Sequence, residues 1–214
     1  MIDAEPDMAA ELDAEQRTQL LAEARALLSG YYRLEDPTRF DPQSCEERVE
    51  VELADGTLLR GFIDRIDVAA TGEVRVVDYK TGKAPPAARA LAEFKAMFQM
   101  KFYALVLWRT RGVIPKRLQL MYLGNREVLA YTPDEADLLA TERKLVALWA
   151  AIERAVQARD FRPQPSKLCD WCDHHAICPA KGGEVLPWPS AVPDPAAMED
   201  RHALAQQRAA EQAY

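Results

Sequence analysis

Between Arg48 and Lys80 the chain carries three runs of alternating side chains separated by two glycine turns, and this pattern restricts the fold more than any other feature. Val49, Val51 and Leu53 lie on one side of the first run and Arg48, Glu50 and Glu52 on the other, the period of two that a half-buried strand shows. Asp55-Gly56 closes that run, Leu58–Val68 forms the second, Thr71-Gly72 makes another turn, and Val74–Lys80 is the third. Short glycine-containing turns join antiparallel neighbours, so a three-strand meander is expected.

Elsewhere the apolar spacing becomes helical. Leu12–Tyr32 places Leu20, Leu21, Ala24, Leu27 and Leu28 at helical intervals, with Gly30 where a C-terminal stop would sit, and predicts an amphipathic helix packed on another element. Pro37 and Pro42 break regular structure in Leu34–Ser44, and a proline-containing loop covers Ala84–Arg89. Leu91–Thr110 has neither Gly nor Pro and repeats Phe94, Phe98, Phe102 and Leu105, a second helix. Leu118–Leu123 and Glu127–Tyr131 read as two strands around Gly124-Asn125, and Pro133–Arg159 reads as a long helix with an acidic first turn. The order helix, three strands, helix, two strands, helix is that of an α/β domain.

A chain of 214 residues with 49% hydrophobic composition buries one substantial core, or one core and a small satellite lobe. Its longest apolar stretches, such as Phe102–Trp108, fall far short of the roughly 20 residues of a membrane span, and the acidic Met1–Glu11 lacks a signal pattern. A cytoplasmic protein without a membrane partner is expected. The net charge of −7 argues against holding nucleic acid mainly by bulk electrostatics. It leaves room for an enzyme that reaches phosphate through divalent cations, because such a site needs carboxylates and the metal supplies the positive charge.

Asp78 and Lys80 leave the same face of the third strand, with Tyr79 pointing the other way. Hairpin pairing would bring Asp64 beside Asp78, giving two carboxylates able to hold Mg²⁺ or Mn²⁺ through oxygen. A plain interstrand salt bridge is the bland alternative for an Asp-x-Lys pair on a half-solvated sheet. Against it stand the apolar Val74, Val76 and Val77 before Asp78, and the spacing of Gln99 and Tyr103, four apart on the next helix with both polar ends on one face.

With these residues in place, GFIDRID (Gly61–Asp67), VVDYKTGK (Val76–Lys83) and QMKFY (Gln99–Tyr103) resemble three successive signatures of the RecB-like branch of the PD-(D/E)XK nucleases, over roughly residues 46–180. The resemblance implies a restriction-endonuclease-like mixed sheet flanked by helices and a Mg²⁺- or Mn²⁺-dependent DNA exonuclease acting in recombination or repair, with DNA and a helicase or recombination subunit as partners. Residue by residue it implies that Asp64, Asp78 and the Tyr79 carbonyl ligate the metal, that Lys80 orients or activates the attacking water, and that Gln99 and Tyr103 support the site and guide the strand. A glutamate at the start of the first strand, Glu46 in preference to Glu47, joins them; a solvated edge charge is its alternative. Asp67 is expected to be structural, and Arg65 a partner for phosphate or carboxylate.

Cys169, Cys172 and Cys178 crowd one polar segment, LCDWCDHHAICP, at a spacing that lets three thiolates converge on one ion or cluster. Zinc would take its fourth ligand from His174, His175 or Cys45. The resemblance implies a [4Fe–4S] cluster with a structural role, because many RecB-like nucleases close their domain with three such cysteines and one far upstream. Cys45 immediately precedes the first strand, later than the family places that cysteine, and the family's metal-site histidine in an N-terminal helix has no counterpart among His174, His175 and His202. Both departures suggest a chain shortened at its N-terminus, with the catalytically incomplete DNA-binding module as the alternative function.

The expected division is an N-terminal helical segment at 1–45, a nuclease core at 46–164, a cysteine lobe at 165–183 and a loosely attached tail at 184–214, with a polar helix candidate at Ala196–Tyr214. Trp108 and Trp149 are expected in the core and Trp171 as a shield over the cluster. Lys95, Lys101, Arg109 and Arg111 are either a track for DNA or a solvated helix face.

Overall fold

A computed structural model describes residues 13–86, 98–184 and 186–188. The chain divides into two compact units, Met1–Ala150 and Ala151–Tyr214. The first is built from helix α1 (Ala14–Leu34), strands β1 (Ser44–Glu52), β2 (Leu58–Val68) and β3 (Val74–Lys80), helix α2 (Phe98–Arg111), strands β4 (Arg117–Tyr122) and β5 (Glu127–Tyr131), and the start of helix α3 (Glu135–Ala158). The beginning of the predicted Leu91–Thr110 helix and the tail helix candidate lie outside the described residues.

The five strands form one sheet in chain order. β1, β2 and β3 pair antiparallel as expected from their turns, where Gly56 and Gly72 both take φ of 85°. β3 then pairs with β4 in parallel, and β4 returns antiparallel to β5. The parallel step needs a crossover, and α2 supplies it. β3 is therefore the central strand, which explains its run of buried valines, Val74, Val76 and Val77.

The core lies between the sheet and α2: Val49, Leu59, Ile63, Ile66, Val76, Leu118 and Leu120 meet Met100, Tyr103, Ala104 and Leu107. Ile63 and Ile66 are both fully buried in this cluster although strict alternation would send residues three apart to opposite faces. The break lies between them. The β1–β2 ladder runs from Cys45↔Arg65 to Glu47↔Ile63 and lacks the rung between, where Glu46 sits opposite Asp64 and adopts φ of 50°. Local breaks of this kind re-aim side chains beside functional sites.

α1 begins at a capping box in which Asp13 accepts from Gln16 N–H and Gln16 returns the bond to Asp13 N–H. Gly30 does not stop the helix. It is buried inside it, because a Cβ there would stand 2.8 Å from the Leu123 carbonyl oxygen. Leu20, Leu21 and Leu28, expected on a packed face, are exposed, and so is Trp149, which was expected in the core. Trp108 does pack against the core cluster.

In the second unit, three short 3₁₀ turns, Lys167–Trp171, His175–Ile177 and Pro179–Lys181, carry the cysteine segment. The first is closed by Ser166, whose hydroxyl accepts from Leu168 N–H while its own N–H donates to Cys169 Sγ. Gly183 approaches so closely that a Cβ would be 2.5 Å from the His175 carbonyl oxygen. Trp171 is 87% exposed. No helix among the described residues is long and apolar enough to cross a membrane.

Candidate active site

The site grows out of the place where β2 and β3 part. Their ladder ends at Arg65↔Val77, and the next rung, which would pair Asp64 with Asp78, is not formed. The Tyr79 N–H instead donates to Asp64 Oδ2 at 2.8 Å. A side chain thus replaces a backbone carbonyl, and both carboxylates come to the opening between the strands. The main chain beyond is held by the β4 side: Leu123 N–H donates to the Lys80 carbonyl at 2.8 Å, and Gly124 N–H to the Gly82 carbonyl at 3.0 Å.

Asp78 is buried, its side chain 3% exposed, and Lys80 Nζ stands 2.5 Å from its Oδ2. The approach lies outside hydrogen-bond angles, so Oδ2 is a buried oxygen without a directed donor, and we treat the pair as an ion contact. Burial pushes the Asp78 carboxyl above the usual carboxylate range; Lys80 opposes the shift and Asp64 adds to it. Lys80 Nζ also donates to Gln99 Oε1 at 3.1 Å, and Gln99 Nε2 donates to the Tyr103 hydroxyl at 3.0 Å. Asp78, Lys80, Gln99 and Tyr103 form one continuous chain of contacts from β3 to α2. Tyr103 is buried, which raises its hydroxyl pKa, with Asp78 and Asp64 pushing the same way. It keeps its proton at neutral pH.

Gly61 explains how α2 comes so near. A Cβ on it would stand 3.0 Å from Tyr103 Cε1 and 3.3 Å from Phe102 Cε1, so the bare backbone of β2 is the surface on which these rings rest. Glu46 is exposed at the missing rung and takes no part in the Asp78–Tyr103 chain. Glu47 is the paired glutamate, accepting from Ser44 and from Arg111.

Arg65 and Tyr79 point away from the Asp78 side. Arg65 is 2% exposed, and its guanidinium grips Glu35 through Nη1 and Nη2 while Nη1 also donates to the Tyr79 hydroxyl at 2.5 Å. It lies 4.6 Å over the Phe40 ring. Burial alone would lower its pKa, but the Glu35 bond and the neighbouring Tyr79 and Asp67 hold it above the ordinary value. Arg65 is thus a carboxylate partner, and that carboxylate, Glu35, lies thirty residues upstream where nothing in LEDP (Leu34–Pro37) signals it. Asp67 takes the structural role expected of it, bound by Arg75 Nη2 at 2.7 Å.

Of the basic residues on α2, Lys101 pairs with Asp137, Arg109 with Glu142 and Arg111 with Glu47. Their charge is engaged by acids of this chain, which fits a solvated face and not a free track; Lys95 lies outside the described residues. Among the described residues no three His, Cys, Asp or Glu side chains gather as a metal-binding group. The acidic site offers two carboxylates and the Tyr79 main chain. Such an oxygen set, with a buried Asp78 oxygen lacking a directed donor, fits a hard divalent cation. Cys169, Cys172 and Cys178 are half-buried free thiols in the second unit, a soft donor set that fits zinc or an iron–sulfur cluster, and the His175 Nε2 is hydrogen-bonded to the Cys169 carbonyl. Cys45, in the first unit, is an exposed free thiol.

A model of the PD-(D/E)XK nuclease superfamily matches residues 2–179. The Gene 69 protein of Mycobacterium phage L5 is 34% identical over 128 residues, 58% of this chain and 41% of that protein. The Gene 69 protein of Mycobacterium phage D29 is 34% identical over 133 residues, 61% of this chain and 45% of that protein. The chain thus spans less than half the length of these curated relatives. Among solved structures, a Eubacterium rectale protein provisionally described as an exonuclease shares the fold, with a TM-score of 0.50, 14% identity, and coverage of 79% of this chain and 63% of that one.

Proposed function

Because this chain belongs to the PD-(D/E)XK nuclease superfamily, we propose that it is a divalent-cation-dependent DNA nuclease of the RecB-like branch, an exonuclease acting in recombination or repair beside a helicase or recombination subunit. The observation that carries this reading is the contact chain from the buried Asp78 through Lys80 and Gln99 to Tyr103, with Asp64 brought in by the Tyr79 N–H.

Asp64, Asp78 and the Tyr79 carbonyl would hold Mg²⁺ or Mn²⁺. When bound, the cation supplies Lewis-acid polarisation of a phosphoryl oxygen and a lowered pKa for water. The chain's own residues do the rest. Lys80 has three N–H donors, of which one meets Gln99, while the ammonium stays in ion contact with Asp78; with its side chain 31% exposed, a donor left over can meet a phosphate oxygen or orient the attacking water. Its ammonium adds positive charge where the phosphate becomes more negative. Gln99 fixes Lys80, and Tyr103 fixes Gln99. Glu46, opposite Asp64 at the broken rung, is the further acid within this proposal.

Cys169, Cys172 and Cys178 would supply three ligands to a [4Fe–4S] cluster with a structural role; zinc is the alternative. Anaerobically prepared, brown protein with iron and sulfide supports the cluster, and colourless zinc-loaded protein rejects it.

All three histidines, His174, His175 and His202, follow the catalytic region in the sequence, and this favours a second reading, a DNA-binding or helicase-partner module that keeps the fold without cutting. Purified protein with Mn²⁺ is assayed on labelled single- and double-stranded DNA beside Asp78→Ala and Lys80→Ala. Cleavage by the parent alone supports the nuclease. DNA binding without cleavage in all three supports the module, and equal cleavage in all three rejects the assigned site.

A further inference from the structure

The side chains next in sequence to the two proposed metal-binding aspartates point to the opposite side of the sheet and meet there. Arg65 follows Asp64, and Tyr79 lies between Asp78 and Lys80. We propose that Glu35, Arg65 and Tyr79 form a positioning clamp, centred on Arg65, that holds the ends of β2 and β3 at the spacing Asp64 and Asp78 need to share one cation. The proposal rests on the metal-dependent reading of that site and assigns side chains that would not touch the cation a role in its affinity.

The clamp is placed where the sheet stops holding itself. Beyond Arg65↔Val77 the two strands share no further rung, yet Asp64 and Tyr79 must stay close for their carboxylate and carbonyl to converge. Two cross-links span the gap. One is the Tyr79 N–H to Asp64 Oδ2 bond at 2.8 Å. The other, on the reverse side, is Arg65 Nη1 to the Tyr79 hydroxyl at 2.5 Å. Each uses one residue of β2 and one of β3, so together they fix both the separation and the rotation of the strand ends. Glu35, just past the C-terminus of α1, grips the same guanidinium through both terminal nitrogens, Nη2 at 3.1 Å. Phe40 covers it at 4.6 Å.

Stability does not account for this arrangement. A fully buried guanidinium carries a desolvation cost that its pairing only about repays, and apolar side chains of similar volume would join the strands as well or better. Arg65 Nε even lacks a bond of good angle, although Asp67 Oδ1 is 3.2 Å away. A planar fork does give direction, which an apolar contact cannot. Groups that orient metal ligands from outside the coordination sphere typically change affinity by about 10- to 100-fold when removed.

The test uses the full chain and Mn²⁺ itself, titrated calorimetrically into the parent, Tyr79→Phe, Arg65→Lys, Glu35→Gln and Asp78→Asn, with unfolding followed in parallel. Tyr79→Phe removes one hydroxyl and keeps the ring, so it reports even where Arg65→Lys fails to fold. The clamp predicts folded Tyr79→Phe and Glu35→Gln proteins with Mn²⁺ affinity reduced by about 10-fold or more, whose DNA cleavage recovers toward the parent rate when Mn²⁺ is raised. A purely structural role would lower the melting temperature and leave the affinity of the folded protein unchanged. Parent-like affinity in folded Tyr79→Phe and Glu35→Gln therefore overturns the clamp while leaving the nuclease reading intact. A parent that binds Mn²⁺ no better than Asp78→Asn overturns the metal site and the clamp with it.

Discussion

Gly61→Ala should cost this protein activity out of proportion to stability, because the methyl group lands on the ring that ends the Lys80 contact chain. The new Cβ would stand 3.0 Å from Tyr103 Cε1 and 3.3 Å from Phe102 Cε1, whereas carbon atoms rest comfortably at about 3.5–4.0 Å. Tyr103 is 7% exposed and shares an edge-on contact with Phe102, so its ring cannot simply swing away. It must shift by roughly half an ångström. Overpacking of this kind costs about 1–3 kcal/mol, partly offset by about 0.5–1 kcal/mol because alanine suits a strand better than glycine. The same shift passes through the 3.0 Å Gln99–Tyr103 bond to Gln99 and to Lys80. Since a misplacement of about 1 Å can cost about 100-fold, a tenfold or so loss of single-turnover rate at saturating Mn²⁺ is expected. Gly56→Ala is the matched control: at φ of 85° with nothing within 4 Å of the new Cβ, it strains the backbone by about 1–2 kcal/mol and touches no site residue. Both variants should melt earlier, and only Gly61→Ala should cut slowly at a temperature where both are folded. Equal rates in the two variants would refute the relay from Gly61 to Lys80.

Asp78→Asn should abolish cleavage and raise the stability of the metal-free protein by about 0.5–2 kcal/mol. The sign follows from burial: a carboxyl with a raised folded pKa binds its proton more tightly in the fold, so stability is lost as pH rises through that pKa, and the ionised group is a net cost at neutral pH; chemical denaturation of both proteins without metal checks it, and an unchanged or lower midpoint for the variant contradicts it. The same shift places the acid limb of the cleavage profile higher than an ordinary carboxylate would, because a proton on Asp78 competes with the cation; raising Mn²⁺ should move that limb to lower pH, and a limb indifferent to Mn²⁺ would remove Asp78 from the metal site. Gly30→Ala would bring a Cβ to 2.8 Å from the Leu123 oxygen, and since backbone cannot retreat as a side chain can, the contact of α1 with the β4–β5 turn should weaken by about 1–3 kcal/mol; a melting temperature equal to the parent's would show that helix and turn are free to separate.

What could be read in the sequence is what neighbours in the chain decide. The bounds of β2 and β3 follow from alternation and from glycine turns that need positive φ, and both strands begin and end where the pattern says. Gln99 and Tyr103 share a helix face because they are four apart, and they are hydrogen-bonded. What escaped is set by contacts between distant segments. Gly30 looks like a helix stop, but the Leu123 carbonyl nearly a hundred residues on is what demands it, so the helix runs through. Likewise no local signal marks Glu35 as the partner of Arg65, or Asp137, Glu142 and Glu47 as the acids that engage the basic residues of α2.

The motif GFIDRID combines both kinds of information, and that accounts for its residue choices. Gly61 admits the α2 rings, Ile63 and Ile66 are both buried in one core although an unbroken strand would separate them, and the missing rung at Glu46 and Asp64 makes that possible. Glu46 accepts the left-handed conformation at the break, a strain of about 1–3 kcal/mol for a residue other than glycine. Without the break Asp64 would be an ordinary strand residue facing Asp78 across a closed ladder, and the Tyr79 N–H would be taken by a backbone carbonyl. With it, the Asp64 carboxylate replaces that carbonyl and stands beside Asp78 at the strand ends. The break in the β1–β2 ladder is therefore what turns two acids in register into two acids able to share a cation.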